Sequence, residues 1–396
     1  KQFEKEAEFI VDRARTSNFS EKAFIKSMDL LREKQVYFRV LPREKYNNRI
    51  YLNKFFSPYI ALAGLQFHDC FGLEINRSKI KIKIEYGVGK DLITFHPKQS
   101  IFDLILVQGA YQEDLLKFYT VCKAVGDAKF DDWFNGNLDK SFIGQVMGRI
   151  DPTKKTVLYM PTHSDLSSAA ALKNALGDVS GKYNVIIKFH HLTVYEDEDL
   201  IADYSRNKNF IIFDDTVDSL SLFSVCDAVL SDNSSAVLEA LLLRKPVVAG
   251  DFFGKEYFDT HGEKFFYKNY PRWPVTYYES VEQIAKRKFA NTFRAPADLE
   301  STLEKSMMEG AKSGSNLRIF TDKLYAFNDG RCAARAKKAI EDFISNKHDY
   351  AKPLLYHIFK TYCSAGDYSS PIISISAIKA MPLLKRILFL LKTFIN

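Results

Sequence analysis

Apolar runs of strand length alternate with helix-length amphipathic stretches through residues 156–250, and this rhythm is the strongest signal in the chain. KTVLYMPT, YNVIIKFHH, NFIIFDD, CDAVLSD and PVVAG are short, rich in β-branched residues and bounded by polar or turn residues, so each predicts a buried strand. DLSSAAALKNAL, the acidic VYEDEDLIADYSR and SSAVLEALLLR predict helices between them. So short a strand-helix cycle predicts a parallel sheet covered by helices, with functional groups in the loops beyond the carboxyl ends of the strands.

The first half is less regular. Residues 1–35 predict helices, Ile80–Ile84 alternates as a strand and runs on to Gly87 and Gly89, and FDLILVQG at 102–109 predicts a strand followed by a helix through YQEDLLKFYTVCKAV. Residues 261–299 are loop-rich around a helix in SVEQIAKRKFA, and NDGRCAARAKKAIEDFI predicts a last helix over roughly residues 329–345. Glycine, proline and charge gather in GRIDPTKK, so a domain boundary is expected near 145–155. The resulting division is 1–150, 151–345 and a short extension, 346–396.

Length and composition narrow the class. A chain of 396 residues with 46% hydrophobic and 27% charged residues can bury substantial cores and is neither disordered nor fibrous. Its net charge of +7 is unevenly placed: residues 351–396 hold Lys352, Lys360, Lys379, Lys385, Arg386 and Lys392 against Asp367 alone. The rest is nearly balanced, which argues against a broad nucleic-acid footprint. PLLKRILFLLKTFIN mixes apolar and basic residues, so the extension is expected either to brace the domains or to lie on an anionic membrane surface. Five scattered cysteines, with no zinc-type spacing, fit a reducing compartment, and KQFEKEAEFI is no secretion segment; the cytoplasm is the expected location.

Three polar loops stand at the ends of successive expected strands. In SDNSS, Asn233, Ser234 and Ser235 can hold phosphate oxygens at a helix start, although capping by Asp232, Asn233 or Ser234 also accounts for the motif. Glu239, on the helix that follows, can bind donor hydroxyls. KFHH ends a strand with Lys188, His190 and His191; an imidazole there can balance diphosphate charge or move a proton. Adjacent residues leave an extended strand on opposite faces, which favours His190 over His191. PTHSD supplies Thr162, His163, Ser164 and Asp165, which can donate, cap or carry charge. Earlier, QFHDCFG places His68 beside Asp69, either of which can act as a base toward an alcohol. No spacing points to a metal site, and neither GxGxxG nor GxxxxGKS is present.

YMPTHSD, KFHH, the block DDTVDSLSLFSVCDAVLSDNSSAVLEALLLRKPVV and NDGRCAARAKKAI occur in an order that resembles the CDP-glycerol glycerophosphotransferase family, which includes teichoic-acid polymerases and related bacterial surface-polymer transferases. The resemblance covers much of residues 156–340. It implies a GT-B-like architecture of two facing Rossmann-like domains, the N-terminal one approached by the acceptor and the C-terminal one holding the donor. It implies metal-independent transfer of glycerol phosphate from CDP-glycerol to a hydroxyl of a surface-polymer or capsule acceptor, with release of CMP and no required cofactor. A glycosyltransferase using a nucleotide sugar for capsule or lipopolysaccharide synthesis is the alternative. In this frame His190 sits near the donor phosphate, Ser234 and Ser235 form the phosphate loop, and Thr162 and Asp165 belong to its neighbour. His68 or Asp69 stands where the acceptor-side base is expected, although FHDCFG departs from the family's HGT-like pattern. His163 and Ser164 replace the usual aromatic-basic continuation after PT. Work at the cytoplasmic face of the inner membrane follows as an expectation.

Overall fold

A computed structural model describes residues 9–12, 18–41, 51, 54–55, 61–64, 80–85, 87–89, 99–100, 102–163, 166–214, 216–252, 280–353 and 356–357. The chain divides into two compact units. Lys1–Tyr86, His96–Gly126 and Arg331–Asn396 form the first; Gly87–Phe95 and Asp127–Gly330 form the second. The division falls at 126/127 and at 330/331, so Asp127–Ile150 and the last helix lie in different units from those that cuts near 150 and at 345 would give.

In the first unit, β1 (Phe9–Asp12) precedes α1 (Asn18–Glu33) and pairs in parallel with β2 (Phe38–Leu41), in register Phe9 to Phe38. Within residues 1–35 the apolar, β-branched FIVD is thus a strand, where a helix was expected. Four more parallel strands, β3 (Ala61–Gly64), β4 (Ile80–Ile84), β5 (Leu104–Val107) and β6 (Val121–Ala124), form a second sheet in sequence order. The helix expected through residues 111–125 stops early: α2 is Ala110–Leu116, and β-branched Val121 begins the strand that pairs with β5.

The second unit begins with α3 (Asp131–Phe134) and α4 (Lys140–Met147). It continues through β7 (Thr156–Met160), α5 (Ala169–Val179), β8 (Asn184–Lys188), α6 (His191–Glu196), α7 (Glu198–Ser205), β9 (Phe210–Phe213), α8 (Ser219–Val225), β10 (Ala228–Ser231), α9 (Ala236–Leu242) and β11 (Val247–Gly250). After residues 253–279 it resumes with α10 (Val281–Phe289), β12 (Asn291–Phe293), α11 (Leu299–Glu309) and α12 (Ser315–Leu324). The expected acidic helix is two helices, because Asp197 breaks the run and caps α7 by accepting from the Leu200 N–H.

The six strands are parallel, in the order β12-β11-β10-β7-β8-β9. The chain runs outward from β7 to β9, returns to the other side of β7 as β10, and runs outward again; this is the 3-2-1-4-5-6 order of a Rossmann fold, with its switch point between β7 and β10. Continuous apolar strands bury both faces. Val157, Tyr159, Val185 and Ile187 pack on one face with Leu172 and Leu176 of α5, Tyr204 of α7 and Leu299 and Leu303 of α11.

The last helix, α13 (Cys332–Ser345), returns to the first unit, where Ala339, Ile340 and Phe343 cover Ile80, Ile82, Leu104 and Leu106. Beyond it Lys352 donates to the Asp103 carbonyl and lies over the Phe343 and Tyr356 rings, and the Tyr356 hydroxyl donates to Asp103 Oδ1 at 2.6 Å. Each unit therefore contains a parallel sheet flanked by helices, the pair of Rossmann-like folds that a GT-B-like protein contains. The basic run at 379–392 lies outside the described residues.

Candidate functional site

Parallel strands deliver their loops to one edge, and a switch point such as that between β7 and β10 is where an open α/β sheet generally receives its ligand. Ser231, last in β10, donates from Oγ to the Met160 carbonyl at 2.6 Å, tying the two strand ends together. Asp232 follows and is 1% exposed. Its Oδ1 accepts from the N–H groups of Thr162 and Asn233 at 2.8 and 2.6 Å, and its Oδ2 from the Ser168 N–H and hydroxyl at 2.8 and 2.7 Å. Burial raises the pKa of this carboxyl, and the four donors offset only part of the rise. Since Ser168 gives its one proton to Asp232, the Tyr159 hydroxyl, 2.8 Å away, donates to Ser168 and extends the network into the core.

Asn233 is held as closely. Its Nδ2 donates to the Leu166 carbonyl at 2.9 Å, while its Oδ1 accepts from Gln283 Nε2 at 2.8 Å and Lys286 Nζ at 3.1 Å, both on α10. Lys286, 1% exposed at its side chain, also pairs with Asp251 at 3.0 Å. Burial lowers its pKa against the pull of that carboxylate. The polar half of SDNSS thus faces inward and fixes the loop.

The outward half is different. Ser234 and Ser235 are half-buried; Ser234 Oγ accepts from the Ala236 N–H at 3.2 Å, while Ser235, the N-cap of α9, makes no side-chain capping bond. Glu239, one turn along α9, pairs with Lys129 at 2.6 Å. Asp127 accepts from the Lys129 N–H at 2.9 Å, and its carboxyl is pushed up to about 6, first by burial and then by the Glu239 and Asp131 charges. Buried Tyr325 packs edge-on to Phe130 beneath this group, and its hydroxyl pKa is raised by burial.

On the other side of β7 the loop after β8 carries the histidine pair. The strand ends at Lys188 and the chain turns at once into α6, so the alternation rule does not separate His190 from His191; their rings stack at 4.2 Å and 30°. His163, from the loop after β7, stacks on His190 at 4.4 Å and 29°. His190 caps α6, its Nδ1 accepting from the Leu192 N–H at 3.2 Å. Three imidazoles from two neighbouring loops therefore form one group.

Thr162 joins the knot through its backbone, Lys188 ends β8 half-buried, and Ser164 and Asp165 lie outside the described residues, as do His68 and Asp69. Among the described residues no group of three or more His, Cys, Asp or Glu side chains could hold a metal ion, and no helix is long and apolar enough to cross a membrane. Gly89, in the second unit, has φ +111° and lies so close to Glu282 that a Cβ would meet its carboxylate at 2.9 Å, which is why glycine stands there. Sequence reasoning did not find Ser168, Asp251, Gln283 or Lys286; the last reads as one of three basic residues ending a helix, and only the pairing of distant segments brings it to Asn233.

A family described as CDP-Glycerol:Poly(glycerophosphate) glycerophosphotransferase matches residues 124–342, more than half of the chain. No curated protein sequence matches it. Among solved structures, a variant of the wall teichoic acid polymerase TagF soaked with CDPG is similar with a TM-score of 0.56 and 13% identity, over 86% of this chain and 89% of that one. TagF itself gives 0.53 and 12% over 87% and 90%, and the UDP co-structure of MnaA from S. aureus gives 0.52 and 10% over 84% and 87%. At such identities these structures share the fold. The family match contains all six strands of the second unit's sheet and the loops that carry Thr162, His190 and SDNSS. This chain belongs to the CDP-glycerol:poly(glycerophosphate) glycerophosphotransferase family.

Proposed function

We propose that this enzyme transfers glycerol phosphate from CDP-glycerol to a hydroxyl of a bacterial surface-polymer or capsule acceptor. The observation that carries the reading is the family match laid over the switch-point loops, where a Rossmann fold receives a nucleotide ligand. The acceptor oxygen attacks the β-phosphorus, the bond from that phosphorus to the oxygen bridging to the α-phosphate breaks, and CMP leaves with the bridging oxygen. His190 donates to a phosphate oxygen as charge builds there, and the hydroxyls of Ser234 and Ser235 hold others. Thr162, Ser164, Lys188, His191 and Asn233 complete the donor side, Asn233 by fixing the loop. Glu239 binds donor hydroxyls, and His68 or Asp69 takes the acceptor proton.

Incubation of the full chain with labelled CDP-glycerol, CDP-ribitol or nucleotide sugars and a polymer fragment tests this. CMP with transferred glycerol phosphate is expected; transfer of a sugar without phosphate overturns it in favour of a glycosyltransferase. His190→Ala is expected to fold and to lose transfer by roughly a hundredfold or more, the scale of one lost oxyanion donor. We place the reaction at the cytoplasmic face of the inner membrane, with residues 379–392 meeting anionic lipid. Unchanged flotation with anionic liposomes after deletion of those residues overturns that placement.

A further inference from the structure

We propose that His163 is a positioning residue for His190, and that it acts with the Leu192 N–H to hold His190 as the tautomer protonated on Nε2. The proposal rests on the donor-side reading of His190 and adds the device that aims it. An imidazole can present either nitrogen as donor, and rotation about its last side-chain bond exchanges them. In His190, Nδ1 accepts from the Leu192 N–H at 3.2 Å, so the lone pair is there and the proton of the neutral ring is on Nε2. That bond sets which nitrogen is which, while a stack sets the plane of the ring: His163 lies against it at 4.4 Å and 29°, His191 at 4.2 Å and 30°.

The partner that matters is His163, because it comes from a different strand. Its neighbour Thr162 donates its N–H to Oδ1 of buried Asp232 at 2.8 Å. The knot at the switch point therefore reaches the His190 ring through two consecutive residues. His191 belongs to the same short helix as His190 and moves with it, so it adds a face without adding a reference to the sheet. Neutral His190 then offers an N–H to an anionic oxygen without first taking up a proton.

Two-bond proton-nitrogen correlation spectra of the full chain, labelled at histidine nitrogens and recorded without substrate, test the proposal. His190 is expected to show the Nε2–H pattern in the native chain and in His163→Phe, which keeps a flat ring, and to average between tautomers in His163→Ala. With CDP-glycerol and acceptor, kcat is expected to fall roughly tenfold or more in His163→Ala with a smaller change in KM, and to stay within about threefold in His163→Phe. An Nδ1–H pattern in the native chain overturns the proposal, as does its loss in His163→Phe. His163→Ala matching the native chain in both spectrum and kcat also overturns it. Because the tautomer is read without substrate, failure to turn over CDP-glycerol removes the donor reading and leaves the tautomer assignment to stand or fall on the spectrum.

Discussion

Two carboxylates seven residues apart, Asp232 and Glu239, sit on either side of the start of α9 and have opposite surroundings. Asp232 is 1% exposed and accepts four hydrogen bonds from three residues in two loops. Glu239 keeps 16% of its side chain exposed and holds one partner, Lys129, which is itself 36% exposed. The same division runs through the histidines, where His163 and His190 are half-buried and His191 is exposed. Within this unit the buried polar groups set the shape of the loops, and the more exposed ones are those to which the proposed function gives the donor contacts. A polar motif such as SDNSS therefore splits at Ser234 into an inward, loop-fixing half and a more exposed half.

Asp232→Ala puts the largest strain on that division. It removes the acceptor for the N–H groups of Thr162, Ser168 and Asn233 and for the Ser168 hydroxyl, in a place where water cannot easily replace it. At about 1–3 kcal/mol for a buried donor left unpaired, a loss on the order of 4 kcal/mol is expected after local relaxation. The chain's two tryptophans, Trp133 and Trp273, fall in the second unit, so denaturant unfolding followed by tryptophan fluorescence reads this unit. A loss no greater than that of Glu239→Ala would erase the distinction between the two carboxylates.

Lys286→Met is next. It keeps the volume but strips Asp251 of its buried ammonium partner. Breaking a buried pair costs about 3–5 kcal/mol in general. Here three facts reduce it: Asp251 keeps 15% exposure, Arg294 stands 3.6 Å from its other oxygen, and Gln283 still donates to Asn233. The lysine's own burial penalty is also recovered. A loss of about 2 kcal/mol in the same unfolding measurement is expected, with a raised KM for the donor because the loop carrying Ser234 and Ser235 loosens.

The strand-loop-helix frame of this site is legible in the sequence because SDNSS interrupts two apolar runs; the return to β7 after β9 is not, because the same cycle of elements fits other strand orders. The burial of Asp232 is not legible. A carboxylate between serine and asparagine reads as surface, and its partners Thr162 and Ser168 are more than sixty residues away, meeting it only because β7 pairs with β10. The stacked imidazoles fail for a related reason: alternation sends His190 and His191 to opposite faces only if the strand continues, and here it ends at Lys188. In the first unit, the stripe Ala339, Ile340 and Phe343 marks α13 as amphipathic. Nothing local says that the sheet it covers is the one containing β4 and β5.

The smallest effect is expected at the edge of α9, and its sign is its most informative property. Asp127 has its carboxyl pushed up to about 6, first by burial, with the Glu239 and Asp131 charges adding and Lys129 opposing. Its unfolded value is near 3.8, so between about pH 4 and pH 6 the folded chain holds a proton that the unfolded chain has released. Stability contributed by this group is full at acid pH and is lost as pH rises through that window. Asp127→Asn keeps an oxygen for the Lys129 N–H and removes the charge. It is expected to stabilise the second unit by about 1–2 kcal/mol at pH 7.5, less than the full shift implies because the site is only partly buried. The gain should vanish near pH 3.5, where the native carboxyl is already protonated. Unfolding curves at the two pH values check this. Destabilisation at pH 7.5 would mean that Asp127 is held as firmly as Asp232, and that the edge of α9 belongs with the scaffold.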